Sequence, residues 1–181
     1  MIEATPLDGV FVVTPRRFQD HRGFFSESWN QKTLEAAGLS LPAFVQDNHS
    51  LSHQVGTVRG LHYQSPPHAQ GKLVRCGRGA IFDVAVDIRS DSATYGQWFG
   101  TELSFENGRQ LWIPAGFLHG FMTLEPDSEI IYKCTDHYAP DCDGAVRWDS
   151  CGIDWPDCGT PPVLSDKDEK AVPFSDFASP F

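Results

Sequence analysis

Four stretches of the 181-residue chain place polar, titratable side chains inside patterns that otherwise read as β-strand. The first is Asp20-His21-Arg22-Gly23-Phe24-Phe25-Ser26-Glu27. The second joins Phe44-Val45-Gln46-Asp47-Asn48 to Arg59-Gly60-Leu61-His62-Tyr63. The third is Gln70-Gly71-Lys72-Leu73-Val74, and the fourth runs from Trp112 to Phe121 and contains His119. An imidazole ordinarily titrates near ~6.5, so His62 suits the role of a general base at neutral pH. An ammonium such as that of Lys72 can offset negative charge developing on an oxygen. The phenol of Tyr132, inside the strand pattern Ile130–Thr135, can donate a proton. Taken singly, each is more often an ordinary surface residue, and His119 is compatible with a hydrogen-bonded structural histidine. Together they describe proton transfer.

The elements that must position these groups are mostly short strands cut by Gly, Pro, Asn and Asp. Strands are expected at Val10–Val13, Phe24–Trp29, Val58–Tyr63, Lys72–Cys76, Ile81–Ile88, Trp98–Leu103, Gln110–Ile113, His119–Leu124 and Ile130–Thr135. One helix is expected over Asn30–Ala37, with Asn30 as N-cap and Gly38 as stop. Asn107-Gly108 reads as a hairpin turn. In Ile81–Ile88, Phe82, Val84, Val86 and Ile88 share one face, and Asp83, Ala85 and Asp87 the other. A carboxylate-bearing face either meets water or lines a polar cavity. Strict alternation puts Arg59 and His62 on opposite faces. Both reach one cavity only if Gly60 marks a bulge or the strand ends there. The expected fold is mainly β: a cupin-like jelly-roll β-barrel with a few short flanking helices. The whole chain, 1–181, reads as one domain, with residues 136–181 wrapping the barrel as loops and short helices.

Composition narrows the function classes. Hydrophobic residues are 40% and charged residues 21%, which suits a chain with a sizeable core. Net charge is −10, which argues against a nucleic-acid partner. The balance is uneven. Residues 1–79 hold eight Lys or Arg against six Asp or Glu, and residues 80–181 hold six against eighteen. The N-terminal half could therefore hold an anionic small molecule, or the C-terminal half could simply be a solvated acidic surface. No segment has the length and apolarity of a membrane span, and Met1–Val10 lacks a basic signal region. The expected location is the cytoplasm, with no membrane partner. The five cysteines are odd in number and none are in Cys-x-x-Cys spacing, so neither a disulfide framework nor a zinc site is expected.

Pro114-x-Gly116-x-x-His119 resembles the second motif of the cupin superfamily. A metal-binding cupin also needs an earlier His-x-His and a nearby Glu. The matching place here reads His62-Tyr63-Gln64, without the second histidine or the carboxylate. No metal and no cofactor are expected.

Longer strings carry a more specific resemblance. Arg22-Gly-Phe-Phe-x-Glu27, Phe44-Val-Gln-Asp-Asn-His49, Arg59-Gly-Leu-His62, Gln70-Gly-Lys-Leu-Val74 and Phe82-Asp-Val-Ala-Val-Asp87 are five of them. Trp112-Ile-Pro-x-Gly-Phe-x-His-Gly-Phe121, Tyr132-Lys133 and Leu164-Ser-x-Lys-Asp168 complete the set. Over about residues 8–170 the chain resembles the dTDP-4-dehydrorhamnose 3,5-epimerases. The resemblance implies a metal-free homodimer that converts dTDP-4-dehydro-6-deoxy-D-glucose to dTDP-4-dehydro-L-rhamnose. It implies His62 as base, Asp168 as its orienting carboxylate, Tyr132 as acid on the opposite face of the ring, and Lys72 beside the C4 oxygen. Arg59 and His119 match positions near the sugar and diphosphate. Gln46, Asn48 and Glu27 match nucleotide- or sugar-contacting positions, and Tyr138 an aromatic near the thymine. Phe18 and Arg22 match residues lent to the other subunit's nucleotide site. Residues 141–162 match less well.

Other functions stay open at this level. An epimerase acting at C3 alone on a related dTDP-4-keto-6-deoxyhexose would carry a similar base and acid. A 3,4-ketoisomerase would favour paired histidines where His62-Tyr63-Gln64 stands. A non-catalytic sugar-nucleotide-binding module would tolerate loss of the base and the acid, and a metal-dependent cupin would need ligands that are absent.

Overall fold

Every strand ladder in the computed structural model, which describes residues 1–181, is antiparallel. In chain order the elements are β1 (Ile2–Ala4), β2 (Phe11–Val13), β3 (Arg17–Asp20), β4 (Gly23–Ser26), α1 (Gln31–Ala36), β5 (Gln46–Ser52), β6 (Val58–Gln64), β7 (Lys72–Arg78) and β8 (Ala80–Asp87). Then follow β9 (Trp98–Ser104), β10 (Gln110–Ile113), β11 (Phe117–Thr123), β12 (Ser128–Cys134), β13 (Asp143–Ala145) and α2 (Asp166–Glu169). One sheet has six strands in the order β1-β2-β10-β7-β12-β5. The other has five, β13-β6-β11-β8-β9, and β3-β4 forms a separate hairpin.

The mainly-β expectation with short helices holds, but the cupin-like jelly-roll β-barrel does not. No ladder joins the two sheets. The six-stranded sheet ends on β1 and β5, the five-stranded sheet on β13 and β9, and both stay open. Inward and outward residues alternate in the same way in a barrel and in a pair of packed sheets. The pattern of apolar residues therefore could not distinguish them. Closure depends on whether edge strands pair, and here the three-residue β13 takes the outer edge of β6 instead of β5. Asn107-Gly108 is corrected for the same reason. Gly108 takes a positive φ of 63°, as a turn requires, but the turn leads from β9 in one sheet to β10 in the other, so it is not a hairpin.

The core lies between the sheets. Val12, Val74, Leu111 and Ile130 from the larger sheet meet Ile81, Ala85, Leu103 and Phe121 from the smaller. The two faces of β8 are both buried. Its odd-numbered face turns inward, so Asp83 and Asp87 are 0% exposed. Its even-numbered face packs with Leu61, Leu118 and Val146, and is covered by Trp155, Phe174, Phe177 and Phe181 of the C-terminal segment. Parallel bridges Thr57–Val163 and Val146–Val172 stitch that segment to the sheet. The short α2 is thereby brought beside β6.

Helix α1 starts as expected. The Asn30 side chain accepts from the Thr33 N–H at 3.2 Å, and Gly38 follows the helix with φ +87°. Gly60 settles the question of faces. Its φ is +125°, and a Cβ there would stand 2.6 Å from Gly120 Cα. The pairing of β6 with β11 shifts register between His119 and Phe121, opposite this point. The irregularity breaks strict alternation and lets Arg59 and His62 line one cavity. No helix is long and apolar enough to cross a membrane.

Candidate active site

Strand β6 and helix α2 build the central pair. Ser165 caps α2: its Oγ accepts from the Asp168 N–H at 3.2 Å and donates to Asp168 Oδ2 at 2.9 Å. Fixed in this way, Asp168 directs Oδ1 to His62 Nε2 at 2.5 Å. Burial pushes the Asp168 carboxyl up, but hydrogen bonds from His62, Ser165 and the Gly60 backbone outweigh it and hold the group below the usual carboxylate range. A carboxylate at this place makes Nε2 the protonated nitrogen and leaves Nδ1 with a lone pair and no partner in the chain. The histidine side chain is 31% exposed and the aspartate 3%, so the pair is rooted in the protein and opens on one side.

That open side is a cavity of about 360 Å³ between the sheets, lined by Ser50, Arg59, His62, Lys72, His119 and Tyr132 among others. A second lobe of about 260 Å³ contains Gln46, Asn48, Gln64 and Tyr138. The lobes share His62, Lys72, Tyr132 and Lys167, and so form one cleft. Lys72 comes from β7 in the opposing sheet. Burial pulls its amine below the ordinary lysine value, and Cys134, Asp143 and Asp83 act against that pull. Burial also raises the Tyr132 phenol, which therefore holds its proton at neutral pH. His119 is buried and bonds Asp83 through Nε2 at 2.8 Å. Burial lowers its pKa, so it is mainly neutral.

Other residues shape the two ends. Arg59 is anchored through Nε to Ser52 Oγ and through Nη2 to the Leu51 carbonyl, both at 3.1 Å. Gln46 donates to Asn48 Oδ1 at 3.0 Å and accepts from the Tyr138 N–H at 2.9 Å. Tyr138 is exposed at the mouth, with its hydroxyl donating to Asp143 at 3.2 Å.

Nine of the twelve residues singled out in the sequence meet at this cleft: His62, Tyr132, Asp168, Lys72, Gln46, Asn48, Arg59, His119 and Tyr138. Phe18, Arg22 and Glu27 do not. Phe18 and Glu27 line a separate groove of about 370 Å³ beside α1. Arg22 sits on the β3–β4 hairpin, paired with Asp20 at 2.5 Å and 78% exposed. Conversely, Lys167, Asp143 and Ser165 belong to the site without having been singled out. Lys167 lines both lobes and forms an ion pair with Asp143. Ser165 and Lys167 stand within the Leu164-Ser-x-Lys-Asp168 string, which was a usable signal. Asp143 lies in the stretch that matches less well and gave none.

A paired histidine and carboxylate, a buried amine and a phenol around one cavity can move protons next to a carbonyl. The model of the family described as dTDP-4-dehydrorhamnose 3,5-epimerase matches residues 4–176. The chain belongs to this family. A dTDP-4-dehydrorhamnose 3,5-epimerase of Sinorhizobium fredii is 56% identical over 165 residues, covering 88% of this chain and 82% of the relative. The Bacillus anthracis epimerase, solved with TDP and pyrophosphate bound, superposes with a TM-score of 0.91. Its identity is 46%, over 96% of this chain and 99% of that one. A Legionella pneumophila epimerase in complex with dTDP-4-keto-L-rhamnose also gives 0.91, at 45% identity over 98% and 94%. As a dTDP-4-dehydrorhamnose 3,5-epimerase family member, this protein is an isomerase that carries out 3,5-epimerisation of dTDP-4-keto-6-deoxyhexose sugars.

Proposed function

We propose that His62, held by Asp168, removes the protons at the carbons flanking the C4 ketone of dTDP-4-dehydro-6-deoxy-D-glucose. Tyr132 returns a proton from the other face of the ring, and the product is dTDP-4-dehydro-L-rhamnose. A proton next to a ketone becomes removable when the enolate oxygen is stabilised, and Lys72 supplies that charge from the wall of the cavity. Inversion needs a base and an acid on opposite faces. What carries this reading is the 2.5 Å bond from His62 Nε2 to Asp168, which leaves Nδ1 free in the cavity shared with Lys72 and Tyr132.

The sugar occupies the lobe beneath Arg59 and His119. The nucleotide lies toward Gln46, Asn48 and Tyr138, whose exposed ring suits stacking on thymine. Lys167 and Arg59 face the diphosphate. Phe18, Arg22 and Glu27 stand away from their own chain's cleft, on or beside a hairpin with Phe18, Phe24 and Phe25 exposed. The enzyme acts as a homodimer in which Phe18 and Arg22 complete the partner's nucleotide site. Five free cysteines suit a cytoplasmic setting. His62 and His119 are each engaged by a carboxylate, which suits proton transfer by the imidazoles themselves.

A coupled assay tests the whole reading. With the 4-keto substrate, a 4-ketoreductase and NADPH, the trapped sugar is expected to be dTDP-L-rhamnose, formed at a rate unaltered by EDTA. A trapped sugar with D configuration at C5, or EDTA inhibition reversed by one divalent ion, would contradict it.

A further inference from the structure

The inward face of β8 carries two buried aspartates whose surroundings differ. Asp87 is saturated. Arg89 donates to it from its backbone N–H and Nε at 3.0 Å and from Nη2 at 2.7 Å, and Ser92 and Thr94 each donate at 2.6 Å. Burial alone would raise its carboxyl, but these donors hold it down to about 2. This is a structural carboxylate that fixes the loop after β8.

Asp83 is equally buried and only half satisfied. Its Oδ1 accepts from His119 Nε2 at 2.8 Å, while Oδ2 has no partner. The only other unpaired buried side-chain atom is Ser50 Oγ. An orphan carboxylate oxygen in the interior is unfavourable unless an opposite charge faces it. The Lys72 amine, from the opposing sheet, has no ion-pair partner and is within electrostatic reach.

We propose that Asp83 is a positioning residue of this epimerase, orienting His119 through one oxygen and facing the Lys72 ammonium as its countercharge through the other. The inference rests on the placement of Lys72 and His119 at the sugar given above. Its first consequence concerns His119. A proton on Nε2 directed at Asp83 leaves Nδ1 as an acceptor, so His119 receives a hydrogen bond from a sugar hydroxyl and donates none. Its second consequence concerns Lys72. The groups around the amine are Asp83 on β8, Asp143 on β13, Cys134 and Tyr132 on β12, Lys167 on α2, His62 on β6 and His119 on β11. Burial works against the charged amine, Lys167 adds to that, and Asp143 is already paired with Lys167. Asp83 is the one carboxylate in this set with a buried oxygen that lacks a hydrogen-bond partner.

Asp83→Asn keeps the shape and removes the charge. The expected result is a fall in kcat of about 100-fold at neutral pH, as for loss of one electrostatic stabiliser. KM should stay within about threefold of wild type. The alkaline limb of the kcat profile should move down by about one pH unit, because the ammonium loses its proton more readily without a facing carboxylate. A purely structural aspartate would lower thermal stability without moving that limb. An unmoved limb together with kcat within about threefold of wild type overturns the proposal. A measurement on the wild-type enzyme does not depend on the variant folding. Nitrogen-15 imidazole spectra should show His119 protonated at Nε2 and bare at Nδ1 at neutral pH, and the reverse tautomer overturns it. Lys72→Ala separates the two layers. If Lys72→Ala keeps full activity, the parent reading fails along with this one. If Lys72→Ala is inactive while Asp83→Asn matches wild type, only this inference fails.

Discussion

His62→Ala is expected to lower kcat/KM by about 10³–10⁴-fold and to abolish exchange of the C5 proton with solvent. The His62 imidazole combines a carboxylate-fixed orientation with a side chain 31% exposed to the cavity. Lys72 is buried with its amine pulled below the ordinary lysine value, Tyr132 holds its proton, and neutral His119 lies 7% exposed on Asp83. Removing the ring opens space for water and leaves only the buried His119 imidazole in the cleft. Folding should survive, since Asp168 keeps the Ser165 hydroxyl and the Gly60 backbone as donors. His62 and Asp168 act as a unit, so His62→Ala combined with Asp168→Asn should be no slower than His62→Ala alone. Deuterium entry at C5 of substrate incubated with His62→Ala, followed by NMR, is the check. Incorporation at the wild-type rate would remove His62 from the role of base.

Tyr132→Phe should separate proton removal from proton return. The change deletes one hydroxyl and keeps the ring that packs against the inner core. With His62, Asp168 and Lys72 intact, the enolate still forms. It is then reprotonated by His62 on the original face or slowly by water. Product formation should fall by about 10²–10⁴-fold, the range for loss of one general acid, while C5 exchange falls much less. Following deuterium entry and L-configured product in one reaction gives the ratio directly. A parallel fall in both would make Tyr132 a positioning residue and would require another donor on that face.

Much of this site was legible in the sequence because its residues sit in strings whose types are uncommon in strands. His62, Lys72, His119 and Tyr132 stand on β6, β7, β11 and β12, four of the expected strands, recovered to within a few residues. Strand β5 was missed because Gln46-Asp-Asn-His-Ser-Leu-Ser52 is polar on both faces: one face lines the cleft and the other lies on the exterior of the sheet. The open sandwich was not legible, since closure depends on edge pairing that no local pattern records. The two readings of the Asp83 and Asp87 face also needed the structure. Neither aspartate meets water; one is saturated by its own loop, and the other bonds His119 through one oxygen and leaves the second unpaired. Phe18, Arg22 and Glu27 mark the limit of a single chain. Their types suit a nucleotide, yet the fold holds them away from their own cleft.

The most direct measurement is the single-turnover reaction of the wild-type enzyme in D₂O, with C3 and C5 of the product examined by NMR and mass spectrometry. A base on one face and a solvent-equilibrated acid on the other predict one deuterium at each of the two carbons, both inverted. Deuterium at C3 alone, with C5 unlabelled and uninverted, would make the enzyme a C3 epimerase. Inversion at C5 with the original hydrogen retained would contradict the pairing of His62 with Tyr132.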